Sequence, residues 1–521
     1  MHAPLSELHE CTYDAVVLGG GAAGASAAQH LASRGYATLL VDRADFASGT
    51  SSRSSRLLYC GLAYFSPDYE LWRFAYRPRD LMNRVRMAKL AMNCRTQLVD
   101  TMPERLTRCT FLFPVFRNSP FPGWKVDLGY KALGLFGSSK APLDYRRVSA
   151  QQATNQYGLV RLMDRSQLES VGVFTEYQYN WAERICLDTV LDAERCGATV
   201  RNYTIAKKLE RLPDSSWNIT LEDVKEPGST AQVRARILVN TAGPWADSVN
   251  ALATKDVRKR VVGIKGVNVM VRLPDDCEGL GMETISSIGQ PFYCMPWGKY
   301  HFFGPTETVF EGDPDDVRVL NEEVEFILGE ANRLFPNLGL SKKDIIYSWS
   351  GVRPRTASAG HEGVKALTIH DMQGDGMPNA LTLTGTPIML HRHAGREIAR
   401  RVSKMLQPSR KATPLSYGAK LFPDNQNSPP LDYDYPDVKV ADLRYAAKHE
   451  HVETLIDLLF RRVQVGWSGT MGLPCARKAA EAVADILDWD EERIGREVAA
   501  YGRFVRENFN PSQVSESSAA V

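Results

Sequence analysis

A glycine-rich turn between an apolar strand and a helix limits the number of folds that this chain can adopt. Residues 15–18 (AVVL) form a continuous apolar run, which is typical of a buried parallel strand. The run leads into residues 19–24 (GGGAAG), and an alanine-rich helix follows from Ala25 to about Ser33. A second apolar strand, residues 37–41, ends at Asp42. This order of strand, turn, helix, strand and acid predicts the first βαβ unit of a dinucleotide-binding fold.

The residues of this unit suit the parts of a dinucleotide. Gly19 permits the tight turn, Gly21 lets the backbone approach a pyrophosphate, and Gly24 lets the helix pack closely on the strand. The helix N-terminus presents unpaired N–H groups and a positive dipole end to the phosphates. Asp42 can accept hydrogen bonds from both ribose hydroxyls. The hydroxyl-rich residues 49–56 (GTSSRSSR) suit a large, extended cofactor, which favours FAD over NAD.

Composition and charge argue against several classes of partner. The 63 Lys and Arg residues and 61 Asp and Glu residues leave a formal net charge of +2, which gives no electrostatic basis for nucleic-acid binding. No apolar stretch approaches the roughly 20 residues that cross a bilayer. Residues 1–12 lack the Lys or Arg of a signal peptide. We therefore expect a cytoplasmic protein, or one held peripherally on the inner face of a membrane.

The cysteines give no sign of a disulfide framework or a metal site. Nine are scattered along the chain without a CxxC pair, and their odd number excludes complete pairing. The sequence therefore predicts reduced, mostly buried thiols and no bound metal.

The rest of the chain divides into regions of different pattern. Residues 237–240 form another apolar strand, and residues 261–345 alternate apolar and polar positions, apart from a helix at about 322–334. Six prolines in residues 406–436 indicate a linker, and we expect residues 440–508 to be helical throughout. The predicted fold class is α/β, with a Rossmann-type FAD-binding domain, an inserted, mostly antiparallel-sheet substrate domain and a C-terminal helical domain.

The same patterns give domain boundaries. The predicted FAD-binding domain comprises residues 1–84, 171–260 and 346–405, and the substrate domain comprises residues 85–170 and 261–345. A linker at 406–436, the helical domain at 437–510 and a disordered tail at 511–521 complete the predicted organisation.

Longer motifs in the sequence resemble the FAD-dependent glycerol-3-phosphate dehydrogenase family, within the wider group of D-amino-acid oxidase-like flavoproteins. These motifs occur at residues 14–24, 45–52 (DFASGTSS), 239–245 (VNTAGPW), 264–266, 310–314 (FEGDP), 350–354 (SGVRP), 459–462 (LFRR) and 489–494. The resemblance covers nearly the whole length. It implies hydride transfer from a substrate carbinol to N5 of a noncovalent FAD, with electrons passed to a quinone or to oxygen.

The glycine turn and the family motifs together predict the cofactor site. The predicted FAD-binding residues are Gly19, Gly21, Ala22, Ala23, Gly24, Asp42, Arg43, Thr50, Ser51, Ser52, Ser54, Ser55, Ala242, Gly243, Gly351, Arg353 and Gly385.

The chain departs from the family in the expected substrate pocket. The family has Gly-Gly-Leu-Arg-Tyr where this chain has residues 60–64 (CGLAY), so that Tyr64 is kept and Ala63 replaces the arginine. Asn268 replaces a family histidine that is a candidate acid–base group, and an amide cannot shuttle a proton near pH 7. Pro387 replaces a family lysine, whereas Arg353 is kept.

These departures predict a changed substrate. A phosphate dianion is bound best by several Arg or Lys donors. We therefore predict a different small polyol, sugar-like alcohol or polyol phosphate in place of glycerol 3-phosphate. The predicted catalytic residues are His391 as a substitute base, Arg353 as an anchor for an anionic group, and Tyr64 and Asn268 as groups that line the pocket.

Other interpretations of the sequence stay open. Arg353 could form a structural ion pair, and His391 could be a hydrogen-bonded core residue. The alternative functions are an amine or amino-acid oxidase, with Arg353 holding a carboxylate, and a non-catalytic flavin-binding protein. The basic and aromatic residues 71–89 could bind an anionic membrane, cover the pocket as a lid or form an ordinary solvated helix. A homo-oligomer and covalent attachment of the flavin at Cys60 also stay open.

Overall fold

Two β-sheets, of eight and ten strands, form the frame of the protein. The structure, a computed structural model, describes residues 4–61, 76, 78–117, 121–358, 360–425 and 427–509. Tyr64 and the predicted tail at 511–521 lie outside the described residues.

The strands of the two sheets and of one small hairpin alternate with helices along the chain. The strands are β1 (Thr12–Leu18), β2 (Thr38–Val41), β3 (Leu57–Leu58), β4 (Leu106–Phe116), β5 (Arg146–Ser149), β6 (Leu168–Tyr179), β7 (Thr199–Arg201), β8 (Thr204–Arg211), β9 (Trp217–Asp223), β10 (Thr230–Asn240), β11 (Val261–Val271), β12 (Leu280–Ile285), β13 (Pro291–Trp297), β14 (Tyr300–Gly304), β15 (Thr308–Phe310), β16 (Ile345–Thr356), β17 (Thr368–Asp371), β18 (Ala380–Thr384), β19 (Pro430–Asp432) and β20 (Tyr435–Lys439). The helices are α1 (Ala22–Ser33), α2 (Pro78–Thr101), α3 (Gly123–Phe136), α4 (Ala150–Gln156), α5 (Gly158–Arg161), α6 (Ala182–Arg195), α7 (Ala246–Asn250), α8 (Asn321–Leu334), α9 (His391–Met405), α10 (Val440–His449), α11 (Leu455–Asp457), α12 (Ala476–Glu481), α13 (Ala484–Leu487) and α14 (Glu491–Phe509).

The first sheet contains the predicted dinucleotide-binding unit. Its central strands β7, β2, β1, β10 and β18 are parallel, and β17 pairs antiparallel with β18 at one edge. Helices α1, α6 and α9 pack on one face, and the antiparallel strands β8 and β9 contribute to the apolar cluster on the other. Because β1, β10 and β18 run in the same direction, their carboxyl ends meet at one edge, where parallel sheets bind ligands.

The second sheet is antiparallel, except where β12 pairs with β4. Its outer face packs against α4, α5 and α8. Its inner face packs against α2, α3 and the C-terminal helices. The alternation in β11 follows this division, since Val267 and Val269 belong to the outer cluster and Met270 to the inner one.

The predicted fold class is confirmed, with local differences. Helix α1 begins at Ala22 rather than Ala25, because Gly21 already serves as its N-cap. Strands β6 and β16 run across residues 170 and 345 and pair within the second sheet, so the division between the sheets does not follow the domain boundaries expected there. The expected helical stretch at 440–508 is interrupted by turns at 463–472, where Gly472 has a φ of 69°. Eight of the nine cysteines are buried, and Cys11 is half-buried.

A buried carboxylate joins the first sheet to the C-terminal helices. Asp45 accepts hydrogen bonds from Arg462 at 2.6 and 2.8 Å and from Arg461, and the amide of Asn202 donates to it at 2.9 Å. Burial alone would raise the pKa of Asp45, but the charges of Arg462 and Arg461 outweigh it and hold the pKa well below its ordinary value. The carboxylate is therefore ionised over the whole neutral range.

Replacing this carboxylate should loosen the C-terminal helices. We expect Asp45→Asn to lower the free energy of unfolding by about 3–5 kcal/mol, because it leaves the buried Arg462 without its paired carboxylate and leaves Arg461 with Asp457 alone. The deficit should be complete above about pH 4, the ordinary pKa of an aspartate, and should narrow as the pH falls and the wild-type carboxylate takes up a proton. Denaturant unfolding at several pH values measures it.

A matched control is available in the C-terminal helices. Asp485 forms an exposed ion pair with Arg444, and Asp485→Asn should leave the unfolding curve almost unchanged. Equal unfolding curves for Asp45→Asn and the wild type would show that this carboxylate does not stabilise the contact between the first sheet and the C-terminal helices.

Candidate active site

The glycine turn after β1 is packed so closely that side chains are excluded from it. Gly19 has a φ of 102°, and a Cβ there would lie 2.8 Å from Cα of Ala242. A Cβ at Gly24 would lie 1.8 Å from the carbonyl oxygen of Gly19. No side chain caps α1 at Gly21. The first N–H groups of α1 have no intrahelical partners, so this turn can receive a phosphate group.

Asp42 lies beside the glycine turn at the end of β2. Its carboxylate accepts the N–H of Gly20 at 2.6 Å and that of Ala44 at 2.9 Å. Burial raises the pKa of Asp42 to about 6, although these two hydrogen bonds oppose the rise. Each carboxylate oxygen keeps a lone pair, so Asp42 can still accept hydrogen bonds from the two hydroxyls of a ribose.

The hydroxyl-rich stretch links the glycine turn to the second sheet. The Ser51 hydroxyl accepts the N–H of Ala22 at 3.0 Å, and the Thr50 hydroxyl donates to the carbonyl oxygen of Val352 at 2.7 Å. Ser52 donates to the carbonyl oxygen of Gly49 at 2.9 Å. These contacts place the stretch between Ala22, at the start of α1, and β16. The predicted FAD-binding residues Ser54, Ser55 and Gly351 belong to the same two segments.

The residues after β10 lie beside the glycine turn, where Ala242 is the neighbour that a Cβ at Gly19 would meet. Gly243 has a φ of 61°, and a Cβ there would meet open space. The indole N–H of Trp245 is buried and has no hydrogen-bond partner within the described ranges. The Arg43 guanidinium stacks on Trp245 at 4.7 Å and pairs with Asp315, from the loop after β15. These groups fit the parts of FAD. The backbone amides at the start of α1 suit its phosphates, Asp42 suits a ribose, and the buried indole N–H of Trp245 suits the base.

Polar groups follow one another across the inner face of the second sheet. Glu283 of β12 lies opposite Tyr293 of β13, and Tyr293 lies opposite Gly304 of β14. A Cβ at Gly304 would lie 2.7 Å from Oδ1 of Asn268 on β11. This Asn268 oxygen is buried and has no hydrogen-bond partner in the described part of the chain. Residues that lie opposite each other in a sheet share a face, so these polar groups line one surface.

A cluster of charged groups lies at the β16 end of this surface. Glu307 accepts hydrogen bonds from Arg353 at 2.9 Å, from Arg355 at 2.7 Å and from Lys365 at 3.1 Å. Burial would raise the pKa of Glu307, but the charges of Arg353, Lys365 and Arg355 lower it to about 2. Three cations therefore surround one anion. The Arg353 side chain is 37% exposed, so it has surface left for a ligand.

Lys365 is a candidate site residue that the sequence analysis missed. Its neighbour Ala366 accepts the Thr356 hydroxyl at 2.8 Å, and a Cβ at Gly385 would lie 2.1 Å from the Ala366 carbonyl oxygen. Lys365 thereby lies near the segment that contains Pro387. No motif marks this lysine, and only the contact between the two distant segments reveals it.

His391 lies away from any open surface. It is the first residue of α9, it is fully buried, and its Nδ1 lies 2.7 Å from the carbonyl oxygen of Ile388. Burial, and next the charge of Arg392, lower the pKa of His391 to about 3. A general base works best with a pKa near the operating pH and within reach of its proton. This placement weighs against His391 as the base, which stays a prediction.

Both the sequence and the fold of this chain resemble known proteins. Residues 14–401 match the family described as FAD dependent oxidoreductase, and residues 389–494 match the C-terminal domain of alpha-glycerophosphate oxidase. A glycerol-3-phosphate dehydrogenase of Synechocystis sp. is 25% identical, over 97% of this chain and 98% of that protein. The resemblance to this family is confirmed.

Solved structures share the fold at low sequence identity. The glycerol-3-phosphate dehydrogenase from Bacillus halodurans complexed with FAD has a TM-score of 0.72 and 20% identity, and the match covers 97% of this chain and 96% of that one. Glycine oxidase from Geobacillus kaustophilus has a TM-score of 0.55 and 19% identity, over 80% of this chain and 100% of that one.

The close packing at Gly24 leads to a test of the cofactor site. We expect Gly24→Ala to weaken FAD binding by roughly tenfold to a hundredfold, because overpacking of this kind costs about 1–3 kcal/mol. The flavin absorbance that stays with the protein after dilution and desalting measures the loss. Gly329→Ala on α8 is the matched control, since a Cβ there meets nothing within 4 Å. Equal flavin retention by the two variants would contradict the assigned site.

Proposed function

The chain belongs to the FAD-dependent oxidoreductase family, and from this we propose that it oxidises a CH–OH group of a small polyol, sugar-like alcohol or polyol phosphate other than glycerol 3-phosphate. Relatives named glycerol-3-phosphate dehydrogenase support the CH–OH class. The changed substrate is supported above all by one observation, the pairing of Arg353 and Lys365 with the single carboxylate of Glu307.

This pairing limits what the pocket can bind. Glu307 neutralises part of the charge of Arg353 and Lys365, and Arg355 is almost buried against the same carboxylate. Elsewhere, Arg56 is committed to Glu183 and Arg95 to Glu176 in buried pairs. The anchor therefore suits one weakly charged or singly charged group better than a phosphate dianion, which needs several free donors.

The described residues divide the work of the reaction. FAD, when bound, supplies the acceptor for two electrons. Arg353 and Lys365 hold one end of the substrate and fix its orientation, which lowers the barrier by positioning. The unpaired Oδ1 of Asn268 accepts a hydrogen bond from a substrate hydroxyl but cannot accept its proton. The proton therefore leaves through another group or through water.

Anaerobic flavin bleaching tests this function. We expect a polyol, sugar alcohol or sugar-alcohol phosphate to reduce the bound flavin at least about tenfold faster than glycerol 3-phosphate, since each lost charge-assisted hydrogen bond costs about 1.5–3 kcal/mol. A panel of polyols, polyol phosphates, hydroxy acids and amino acids is mixed with the holoenzyme in a stopped-flow instrument. Fastest bleaching by glycerol 3-phosphate, or bleaching by amino acids alone, would contradict the proposal.

We further propose that the α2–α3 surface binds an anionic membrane and that a membrane quinone accepts the electrons. No helix in the described ranges is long and apolar enough to span a bilayer. On α3, Trp124, Leu128 and Leu135 are 60%, 58% and 85% exposed and follow one side of the helix. Met82 on the adjoining α2 is also exposed. Exposed Lys131 lies on α3, and lysine beside apolar residues favours anionic lipid.

Vesicle flotation tests the membrane contact. We expect the protein to float with vesicles of phosphatidylglycerol and phosphatidylcholine, and the combined change Trp124→Ser, Leu128→Ser and Leu135→Ser to reduce binding at least about tenfold. Ile288→Ser with Leu421→Ser removes two exposed apolar residues elsewhere and should leave flotation unchanged. Flotation of the triple variant at the wild-type level, or no flotation of the wild type, would contradict the proposal.

A further inference from the structure

A second cluster of polar side chains lies on the β12 side of the inner face. It is separate from Arg353 and Lys365, which we propose as the anchor for the substrate. Glu283 on β12 and Glu176 on β6 are both buried. Glu176 accepts the N–H of Cys60 at 2.8 Å, and its other oxygen lies 3.4 Å from the Arg95 guanidinium. Arg95 itself donates to the carbonyl oxygens around it, including that of Thr175 at 2.9 Å. No cation among the described residues pairs with Glu283 in the way that Arg95 pairs with Glu176.

The two carboxyl groups have different surroundings. Burial, and next the charge of Glu176, raise the pKa of Glu283 to about 8, although a hydrogen bond from Tyr293 opposes the rise. Burial also raises the pKa of Glu176, but there the charge of Arg95 and hydrogen bonds from Cys60 oppose the rise. At neutral pH Glu283 is an uncharged carboxyl group, and it can donate one hydrogen bond while it accepts others.

Two tyrosines bring further uncharged groups to the same place. Tyr293 lies opposite Glu283 in the sheet and is only half-buried, so part of its ring has free surface. Tyr130 on α3 is 1% exposed, and its hydroxyl has no hydrogen-bond partner in the described part of the chain. The Tyr130 ring packs 4.6 Å from that of Phe174, which is two residues from Glu176 and on the same face of β6. Burial, and next the charges of Glu283, Cys60 and Glu176, raise the pKa of Tyr130, so its hydroxyl is uncharged. A buried hydroxyl without a partner costs about 1–3 kcal/mol, so a ligand that pairs with it is favoured.

We propose that Glu283, Tyr293 and Tyr130 form a hydroxyl-binding subsite that receives the uncharged end of the substrate. The inference rests on the proposed oxidation of a polyol-type substrate and extends it to specificity. Arg353 and Lys365 hold the opposite end, and Tyr293 lies between the two groups, because its strand β13 stands between β12 and the strands β14, β11 and β16 in the sheet. A phosphate at the Glu283 end would find no free cation among the described residues, whereas a hydroxyl can both donate and accept there.

Two substitutions at Glu283 separate recognition from folding. Glu283→Leu removes the hydrogen-bonding group, and Glu283→Gln keeps an uncharged donor and acceptor of similar size. The probes are ribitol with ribitol 5-phosphate and glycerol with glycerol 3-phosphate, mixed with the holoenzyme without oxygen. We expect Glu283→Leu to slow flavin reduction by ribitol and by ribitol 5-phosphate roughly tenfold to a hundredfold each, because both present an uncharged hydroxyl end to Glu283. Glu283→Gln should stay within about threefold of the wild type.

The pH profile gives a second readout that a merely structural residue would not change. In the wild type, kcat/KM for ribitol should fall as the pH rises through about 8, because the ionised Glu283 can no longer donate. The profile of Glu283→Gln should lack this fall. The groups that face Glu283 are Glu176, Cys60, Tyr130 and Tyr293, with Arg95 beyond Glu176, and all of them are unchanged in this variant.

The control and the contradicting results are distinct from those of the proposed function. Glu330→Gln changes a buried carboxylate on α8, at the outer face, and should leave all rates unchanged. Affinity is read separately, from the shift in flavin absorbance on ligand binding. Unchanged rates with ribitol and ribitol 5-phosphate in Glu283→Leu, or an unchanged affinity for ribitol, overturn the subsite. A wild-type flavin that no polyol reduces contradicts the proposed function instead.

Discussion

The glycine turn that we predict to bind the cofactor depends on the buried contact between Asp45 and the adjacent arginines Arg461 and Arg462. Asp45 follows β2, and the two arginines come from the C-terminal helices, more than 400 residues later in the chain. The next residue, Phe46, packs beneath Gly20 in the phosphate-binding turn, where a Cβ would lie 2.5 Å from its ring. The C-terminal helices therefore brace the turn through Asp45 and Phe46. A turn that leaves this little space binds a pyrophosphate only if its backbone is held rigidly.

The inner face of the second sheet carries polar groups of two kinds. At its β16 end, cations share one carboxylate and offer a moderate positive charge. At its β12 end, Glu283 is uncharged near neutral pH, Glu176 pairs with Arg95, and the Tyr130 hydroxyl lacks a hydrogen-bond partner within the described residues. Tyr293 of β13 and Gly304 of β14 lie between these two ends of the face. Because the charge differs between the two ends of this face, substitutions here can change the substrate while the first sheet keeps its cofactor.

Local patterns predicted the fold and the glycine turn well, because strand, turn and helix signals lie within a few residues of one another. The βαβ unit, the α8 helix and the antiparallel alternation in β11 all follow from such signals. Lys365, Glu283 and Tyr130 could not be predicted, since each acquires its role only from contacts between segments far apart in the sequence. The burial of His391 could not be predicted either, because a position in a motif does not reveal that a ring is fully buried.

A crystal structure of the flavin-reduced holoenzyme with its oxidised product tests the central claim most directly. The account predicts that one end of the product lies within hydrogen-bonding distance of Arg353 and Lys365. It also predicts that a hydroxyl group contacts Glu283 or Tyr293 at the other end, with the new carbonyl over the flavin between them. A product bound with its charged group at Glu283, or bound away from the inner face of the second sheet, would contradict the account.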